Sequence, residues 1–317
     1  MNDTHVRQGK TIQQRTGRTF HLATRLLPER VREPTYVLYG FFRICDEVVD
    51  DPGDATPAEQ RAHLDRLRDQ ALGRVDPEEP LLAAFCDLRE RHDIADADVE
   101  AFVDAMQSDI EKDRYADYGE LEAYMDGSAA AVGRMMTAVM ETDGGTEETL
   151  DHATALGEAF QLTNFLRDVR EDVVDRDRVY LPATTLERHG VSHADVDALD
   201  FSEAFAAAMR DELRRAERLY REGVAGIQYL PTDCQFGVLL AAVLYADHHR
   251  VIRRQGCDVL STAPSLGRVR KLSLLARTWW HWRRTRDPET VFRRVSAVGA
   301  TDERSTETPP RDTLPTR

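Results

Sequence analysis

Apolar residues recur at i, i+3, i+4 and i+7 through almost the whole chain, and this one periodicity confines the fold to packed helices. It is clear in AEQRAHLDRLRDQAL (58–72), LEAYMDGSAAAVGRMMTAVM (121–140), ALGEAFQLTNFLRDVREDV (155–173) and SEAFAAAMRDELRRAERLYREGV (202–224). Alternating strand-like runs with hairpin turns are missing, so no sheet is expected. The loop signals DDPGDATP (50–57), DGGT (143–146), LPTD (230–233) and STAPSLG (261–267) are too short for interdomain linkers. The reading is all-α: a single helical domain of ten or more helices over 15–290, a flexible segment 1–14, and a polar, proline-bearing, disordered tail 300–317. No fixed repeat is present, which argues against a solenoid.

Charge narrows the partners. The net charge is −15, and a nucleic-acid backbone requires a basic face, so nucleic acid is excluded as a partner. Lysine occurs only at 10, 112 and 271, aspartate is abundant and arginine carries nearly all the positive charge, a bias that reads as adaptation to high salt. Cys45, Cys86, Cys234 and Cys257 show no metal-ligand spacing and read as reduced thiols of a cytoplasmic protein. The start MNDTHVRQGK is too polar for a signal peptide, and GVLLAAVLYA (237–246) is shorter than the roughly 20 residues a membrane span needs. The expected location is the cytoplasm, with peripheral contact to a membrane as an alternative. TWWHWRR (278–284) bears on that alternative, since tryptophan beside arginine suits a lipid interface. The preferred reading is core packing of Trp279 and Trp282 with arginines reaching outward, and the negative net charge weighs against anionic membranes.

Two acidic pairs carry the chemistry. Residues four apart share a helix face, so Asp46 and Asp50 form one ridge and Asp168 and Asp172 another, each at a cost of a few tenths of a kcal/mol. Tyr39, Arg43, Asp46 and Asp50 make one polar stripe, and Gln161, Asn164, Asp168 and Asp172 make the second. Both helices are otherwise apolar, so the stripes must face an internal cavity, where buried carboxylates call for cations. Carboxylate oxygens suit Mg²⁺, or Mn²⁺, better than zinc, and Mg²⁺ is commonly shared with substrate phosphates. Arg18, Arg43, Arg167 and Arg178 would hold a diphosphate through charge-assisted hydrogen bonds. The constellation points to departure of a diphosphate from a prenyl substrate inside an apolar chamber. Phe20, Phe42, Tyr124 and Phe160 are candidates to face a carbocation, with ordinary core packing favoured for Phe42 and Phe160.

These residues resemble the squalene and phytoene synthases. GRTFHLATRLLPERVREPTYVLYGFFRICDEVVD (17–50) is similar to that family's N-terminal signature, YMDGSAAAVG (124–133) to its central helix, and AFQLTNFLRDVREDVVDRDRVYLP (159–182) to its second signature. YADHHRVIRRQGCDVL resembles its last helices, and the likeness covers roughly 15–285 in the right order. It implies an isoprenoid synthase fold around a central apolar cavity and head-to-head condensation of two prenyl diphosphates; in the phytoene branch, two geranylgeranyl diphosphates give prephytoene diphosphate and then phytoene, with no NADPH required. By resemblance Asp46, Asp50, Asp168 and Asp172 are the Mg²⁺ ligands. Arg18, Thr19, Tyr39, Arg43, Gln161, Asn164 and Arg167 bind or position diphosphate, and Tyr124 and Tyr245 line the reaction cavity.

The sequence departs from the pattern at three places. Gly17 stands where a serine is usual, with Thr16 or Thr19 nearby to take over its contact. The segment after Asp172 is one residue longer than in many bacterial members, which leaves Arg176 and Arg178 as rivals for one arginine role. GSAAAVG replaces a Val-Ala-Gly-Thr-Val-Gly pattern, and its small residues suit either a long prenyl chain or close helix packing. The alternatives in function are a squalene or dehydrosqualene synthase acting on farnesyl diphosphate, a terpene cyclase, and a non-catalytic helical assembly factor.

Overall fold

Helix α1 (Glu29–Asp50) buries Val31, Leu38, Phe41, Cys45 and Val48, and Phe41 stacks on Phe85 at 4.0 Å between ring centroids. The computed structural model to which it belongs describes residues 23–142 and 147–298, so the expectations for 1–14 and 300–317, and for Thr16, Gly17, Arg18, Thr19 and Phe20, lie outside the described residues. After α1 come α2 (Pro57–Ala71), α3 (Pro80–Arg91), α4 (Asp96–Ser108) and α5 (Tyr118–Met125). A π-helical turn (Asp126–Ala130) joins α5 to α6 (Ala131–Val139), and α7 (Glu147–Arg176) follows. The remainder is α8 (Ala183–Arg188), α9 (His193–Asp197), α10 (Glu203–Ala225), a 3₁₀ turn (Gly226–Tyr229), α11 (Thr232–Arg254), α12 (Arg268–Thr285) and α13 (Pro288–Val295). Among the described residues the one strand-like feature is an isolated parallel pairing of Arg114 with Val179. The all-α expectation holds, and its physical origin is plain in α2, where Thr56 and Glu59 cap the start reciprocally and Pro57 fits the first turn.

Helix α7 is the axis of the fold. Its 30 residues extend about 45 Å, and it packs on α6, α10, α11 and the π turn. Where it crosses α6 the backbones nearly touch: a Cβ on Gly133 would sit 2.6 Å from the Ala153 carbonyl oxygen, and one on Gly157 would sit 2.6 Å from that of Ala129. Ser128, Ala129, Val132 and Gly133 also line the internal cavity, so the small residues of GSAAAVG serve close packing and cavity space together.

Two hydrophobic clusters make the core. One is built on α1 to α6 with the later part of α7, α8, α9 and the first half of α10, and the other on Leu156 and Ala159 of α7, the end of α10, and α11, α12 and α13. Trp282 belongs to the second, but Trp279 does not: the inward face of α12 is set by Leu274, Thr278 and Trp282 at steps of four, and Trp279 and Trp280 fall on the outward side. The expected Trp279–Trp282 core pair is therefore replaced by Trp282 alone, which lies 6.4 Å from Phe236. All four cysteines are free thiols. No helix among the described residues is long and apolar enough to cross a membrane.

Candidate active site

A cavity of about 420 Å³ runs between α1, α6, α7 and α11, with Leu27 and Leu38 of the first core and Leu156 and Ile227 of the second both in its wall. Its polar end is formed by Tyr39, Arg43 and Asp46 of α1 and Gln161, Asn164 and Arg167 of α7. Away from that end the wall is mostly apolar: Phe42, Val132, Phe160, Val238 and Ala241, then Met140 and Leu230, with Thr149 and His152 beside them. Tyr39, Arg43 and Asp46 of the first expected stripe and Gln161 and Asn164 of the second thus open into one space, whereas Asp50, Asp168 and Asp172 are not among its lining residues. Tyr245 also lines it, 4.8 Å from Phe160 between ring centroids.

Asp46 faces the cavity from deep in the fold. Its side chain is 39% exposed to that space, yet the surrounding protein pushes its pKa up to about 7, first by desolvation and then by Asp50, with Arg43 opposing. Asp172 is buried and rises to about 7, again first from burial, with Arg176 opposing and Asp168 adding. Arg43 Nη1 lies 3.9 Å from Asp46 and 3.7 Å from Asp50. Asp168 accepts two hydrogen bonds from its neighbour Arg167, and Asp172 pairs with Arg176 at 3.0 Å.

The two acidic ridges meet through arginines. Arg178 Nη1 stands 3.8 Å from Asp50 and 4.0 Å from Asp109, while Nη2 donates to the Asp109 backbone oxygen at 2.8 Å. The backbone explains this placement. Helix α7 ends in a left-handed turn at Asp177, Arg178 N–H bonds to the Asp172 carbonyl, and Val179 N–H bonds to the Asp113 carbonyl, which fastens the outgoing chain beside the end of α4. Arg178 is turned inward to Asp50 and Asp109, whereas Arg176 stays on the α7 face beside Asp172 and Glu171. Arg176 still feels the charge of Asp50, so both rivals lie at the junction of the ridges.

Asp109 is the residue that sequence reasoning missed. It is almost wholly buried, its pKa is raised to about 6 mainly by desolvation, and it accepts a hydrogen bond from the Tyr124 hydroxyl at 2.8 Å. The signal was present in SDIEKD, where Asp109 and Asp113 are four apart, but in so acidic a chain that spacing looks like a solvated face. Tyr124 is not among the cavity-lining residues; its ring packs with Tyr115, Phe165 and Tyr180 and its hydroxyl supports Asp109 from behind. Phe42 and Phe160, expected in the core, each present part of a ring to the cavity.

Among the described residues no three carboxylate, imidazole or thiol groups converge tightly enough to enclose one ion. The donor chemistry nevertheless fits a hard divalent cation. Burial raises the pKa values of Asp46, Asp109 and Asp172, a cost that a bound cation would offset, and cations of this kind are commonly held by one or two carboxylates with phosphate oxygens completing the shell.

Known proteins resemble this arrangement. A family model described as squalene/phytoene synthase matches residues 13–274. The chain is 32% identical over 268 residues to a phytoene synthase of Rhodobacter capsulatus, covering 83% of this chain and 77% of that protein. It is 29% identical over 267 residues to a 15-cis-phytoene synthase of Pantoea ananas, covering 81% and 85%. A crystal structure of a dehydrosqualene synthase in complex with ligand superposes with a TM-score of 0.79 at 25% identity, covering 88% of this chain and 97% of that one. A squalene synthase from Alicyclobacillus acidocaldarius superposes with a TM-score of 0.71 at 21% identity, covering 81% and 97%, and shows the shared fold.

Proposed function

The chain belongs to the squalene and phytoene synthase family, and from that premise we propose that it joins two geranylgeranyl diphosphates head to head, giving phytoene through prephytoene diphosphate with release of both diphosphates. It is a prenyltransferase with the isoprenoid synthase fold. The finer reading rests on one observation: the cavity has a polar end carrying Asp46, Arg43, Arg167, Gln161 and Asn164 and a long, mostly apolar remainder.

The dimensions favour a twenty-carbon substrate. From Asn164 at the polar end to Thr149 at the far wall, α7 covers fifteen residues, about 22 Å at 1.5 Å per residue. A sixteen-carbon prenyl backbone with bonds of about 1.5 Å extends roughly 20 Å, and the twelve-carbon backbone of a farnesyl group about 14 Å. The longer chain uses the channel more fully.

Each side chain then has a task. Arg43, Arg167, Gln161 and Asn164 hold diphosphate oxygens, and Arg178 neutralises charge where the ridges meet. Magnesium ions held by Asp46, Asp50, Asp168 and Asp172 would supply Lewis-acid stabilisation of the departing diphosphate. The apolar wall excludes water, which would otherwise capture an allylic cation as an alcohol. Phe42, Phe160 and Tyr245 line that space, where a ring face presented to a nearby cation would be worth about 0.5–2 kcal/mol.

Incubating purified enzyme and Mg²⁺ with geranylgeranyl or farnesyl diphosphate, with and without NADPH, tests the proposal through the hydrocarbon formed. Phytoene from the twenty-carbon substrate without NADPH is expected. Squalene or dehydrosqualene as the sole product would transfer the reading to farnesyl diphosphate, and absence of any hydrocarbon would refute it.

A further inference from the structure

Helix α12 has a different composition from the rest of the protein. Between Asp258 and Asp287 there is no acidic residue, in a chain of net charge −15, and seven basic residues occur there. Six of the seven lie on α12 itself and the seventh, Arg286, directly follows it, and Arg270 has a structural task. Its guanidinium makes two hydrogen bonds, 2.9 and 2.6 Å, to the fully buried carboxylate of Asp247 on α11. That bidentate anchor, with Leu274, Thr278 and Trp282 packed inward, fixes which face of α12 looks out.

The outward face is apolar. Val269 is 83% exposed, Leu272 65%, Trp279 47% and Trp280 54%, and they lie at helical spacing along one side, continued by the exposed Ala276. Arg268 borders the stripe on one side and Arg277 and Arg284 on the other. The arginines also shape the tryptophans: the Arg283 guanidinium carbon lies 4.9 Å from the Trp279 ring centroid and that of Arg284 lies 3.3 Å from Trp280. Scattered exposed apolar residues are ordinary, but a helix-long stripe with tryptophans at one end and a basic border is not.

We propose that this face of α12 docks the protein on the surface of an anionic lipid bilayer, the helix lying in the interface plane with Trp279 and Trp280 entering the headgroup layer. The charge argument selects this occupant. A protein partner could cover an apolar stripe, but removal of all acidic residues over 28 positions of an acidic chain answers specifically to a negatively charged surface. Tryptophan and arginine are also the side chains suited to the zone between headgroups and acyl chains. The net negative charge of the whole chain does not oppose this docking beyond short range, because screening confines electrostatics to about 8 Å at physiological ionic strength. The placement is consequential too. Helix α11 separates α12 from the cavity, contributing Gly237, Val238, Ala241 and Tyr245 to its wall, so the docking face is one helix away from the prenyl channel.

Flotation of the full-length protein with vesicles of phosphatidylcholine alone, or with about one-third phosphatidylglycerol, tests the proposal without any substrate. The expected result is binding to the anionic vesicles, a blue shift of tryptophan emission on binding, and progressive release by added salt. Trp279→Ser with Trp280→Ser, and separately Arg283→Glu with Arg284→Glu, should each weaken vesicle binding at least about tenfold while circular dichroism and turnover of detergent-dispersed substrate stay within about twofold. Failure of the wild type to bind anionic vesicles overturns the proposal, as does equal binding by both variants. Self-association that the variants abolish, without vesicle binding, would make the face a protein interface and also overturn it. Because vesicle binding is read without substrate, a failed product assay and a failed flotation assay are separate outcomes.

Discussion

The Tyr124 hydroxyl donates to Asp109 Oδ2 at 2.8 Å, the same carboxylate oxygen that lies 4.0 Å from Arg178 Nη1. A hydrogen bond to a charged acceptor contributes about 1.5–3 kcal/mol, and its loss leaves Asp109 with the arginine alone. Tyr124→Phe should therefore lower the unfolding free energy by that amount in urea titrations, with the m-value unchanged. Combined with Asp109→Ala it should cost clearly less than the two single losses together, since both remove one interaction. Strict additivity would show that the contact does not stabilise the site.

The two rival arginines should separate in kinetics. Arg178 bridges Asp50 on α1 and Asp109 at the end of α4, while Arg176 pairs along its own helix with Asp172 and Glu171. Arg178→Gln removes the cation that joins two elements of the site and should reduce kcat/KM by about 100-fold or more. Arg176→Gln removes an i, i+4 partner at a partly exposed position and should cost about tenfold or less. The reverse order, measured by steady-state kinetics, would assign the inward role to Arg176.

Much of this site could be read from the sequence because its logic is local. Tyr39, Arg43, Asp46 and Asp50 follow the repeat of one helix, as do Gln161, Asn164, Asp168 and Asp172, so spacing alone placed each set on one face. The depth of the channel, the inward turn of Arg178 and the part played by Asp109 could not be read that way. Each depends on where separate elements meet: on glycines at the crossing of α6 and α7, on a left-handed Asp177, and on the end of α4. Trp279 was assigned to the core because an i, i+3 pair with Trp282 is geometrically acceptable. Only the anchor between Arg270 and Asp247 fixes the helix rotation that turns it outward.

A pH effect on stability should arise at Glu158. This carboxylate is buried on α7, and its pKa is raised to about 7 by desolvation first and then by Glu122, Asp126 and Glu222, with Arg134 opposing. The folded state therefore holds a proton that the unfolded state releases near its ordinary value of 4.5. Stability is lost as pH rises between those two values, and the full penalty applies above the folded pKa. Glu158→Gln removes the penalty. The variant should match the wild type near pH 5 and exceed it at pH 8 by on the order of 2 kcal/mol in urea unfolding. Equal stability at both pH values would mean that Glu158 ionises freely in the folded protein.

Chain-length preference should respond to one position in the wall. Val238 lies on α11 seven residues before Tyr245, about 10 Å farther from the polar end, and it faces the cavity without belonging to the diphosphate cluster. Val238→Phe adds an aromatic ring where the outer part of a twenty-carbon chain must pass, while a fifteen-carbon chain ends near that level. Overpacking here strains a substrate rather than the core, because the extra volume projects into open space. The ratio of kcat/KM for geranylgeranyl over farnesyl diphosphate should fall at least about tenfold, an effect of roughly 1.4 kcal/mol or more on the longer substrate alone. An unchanged ratio with unchanged rates would place the prenyl chain along another wall of the cavity, and an equal loss for both substrates would mean that the ring disturbs the polar end.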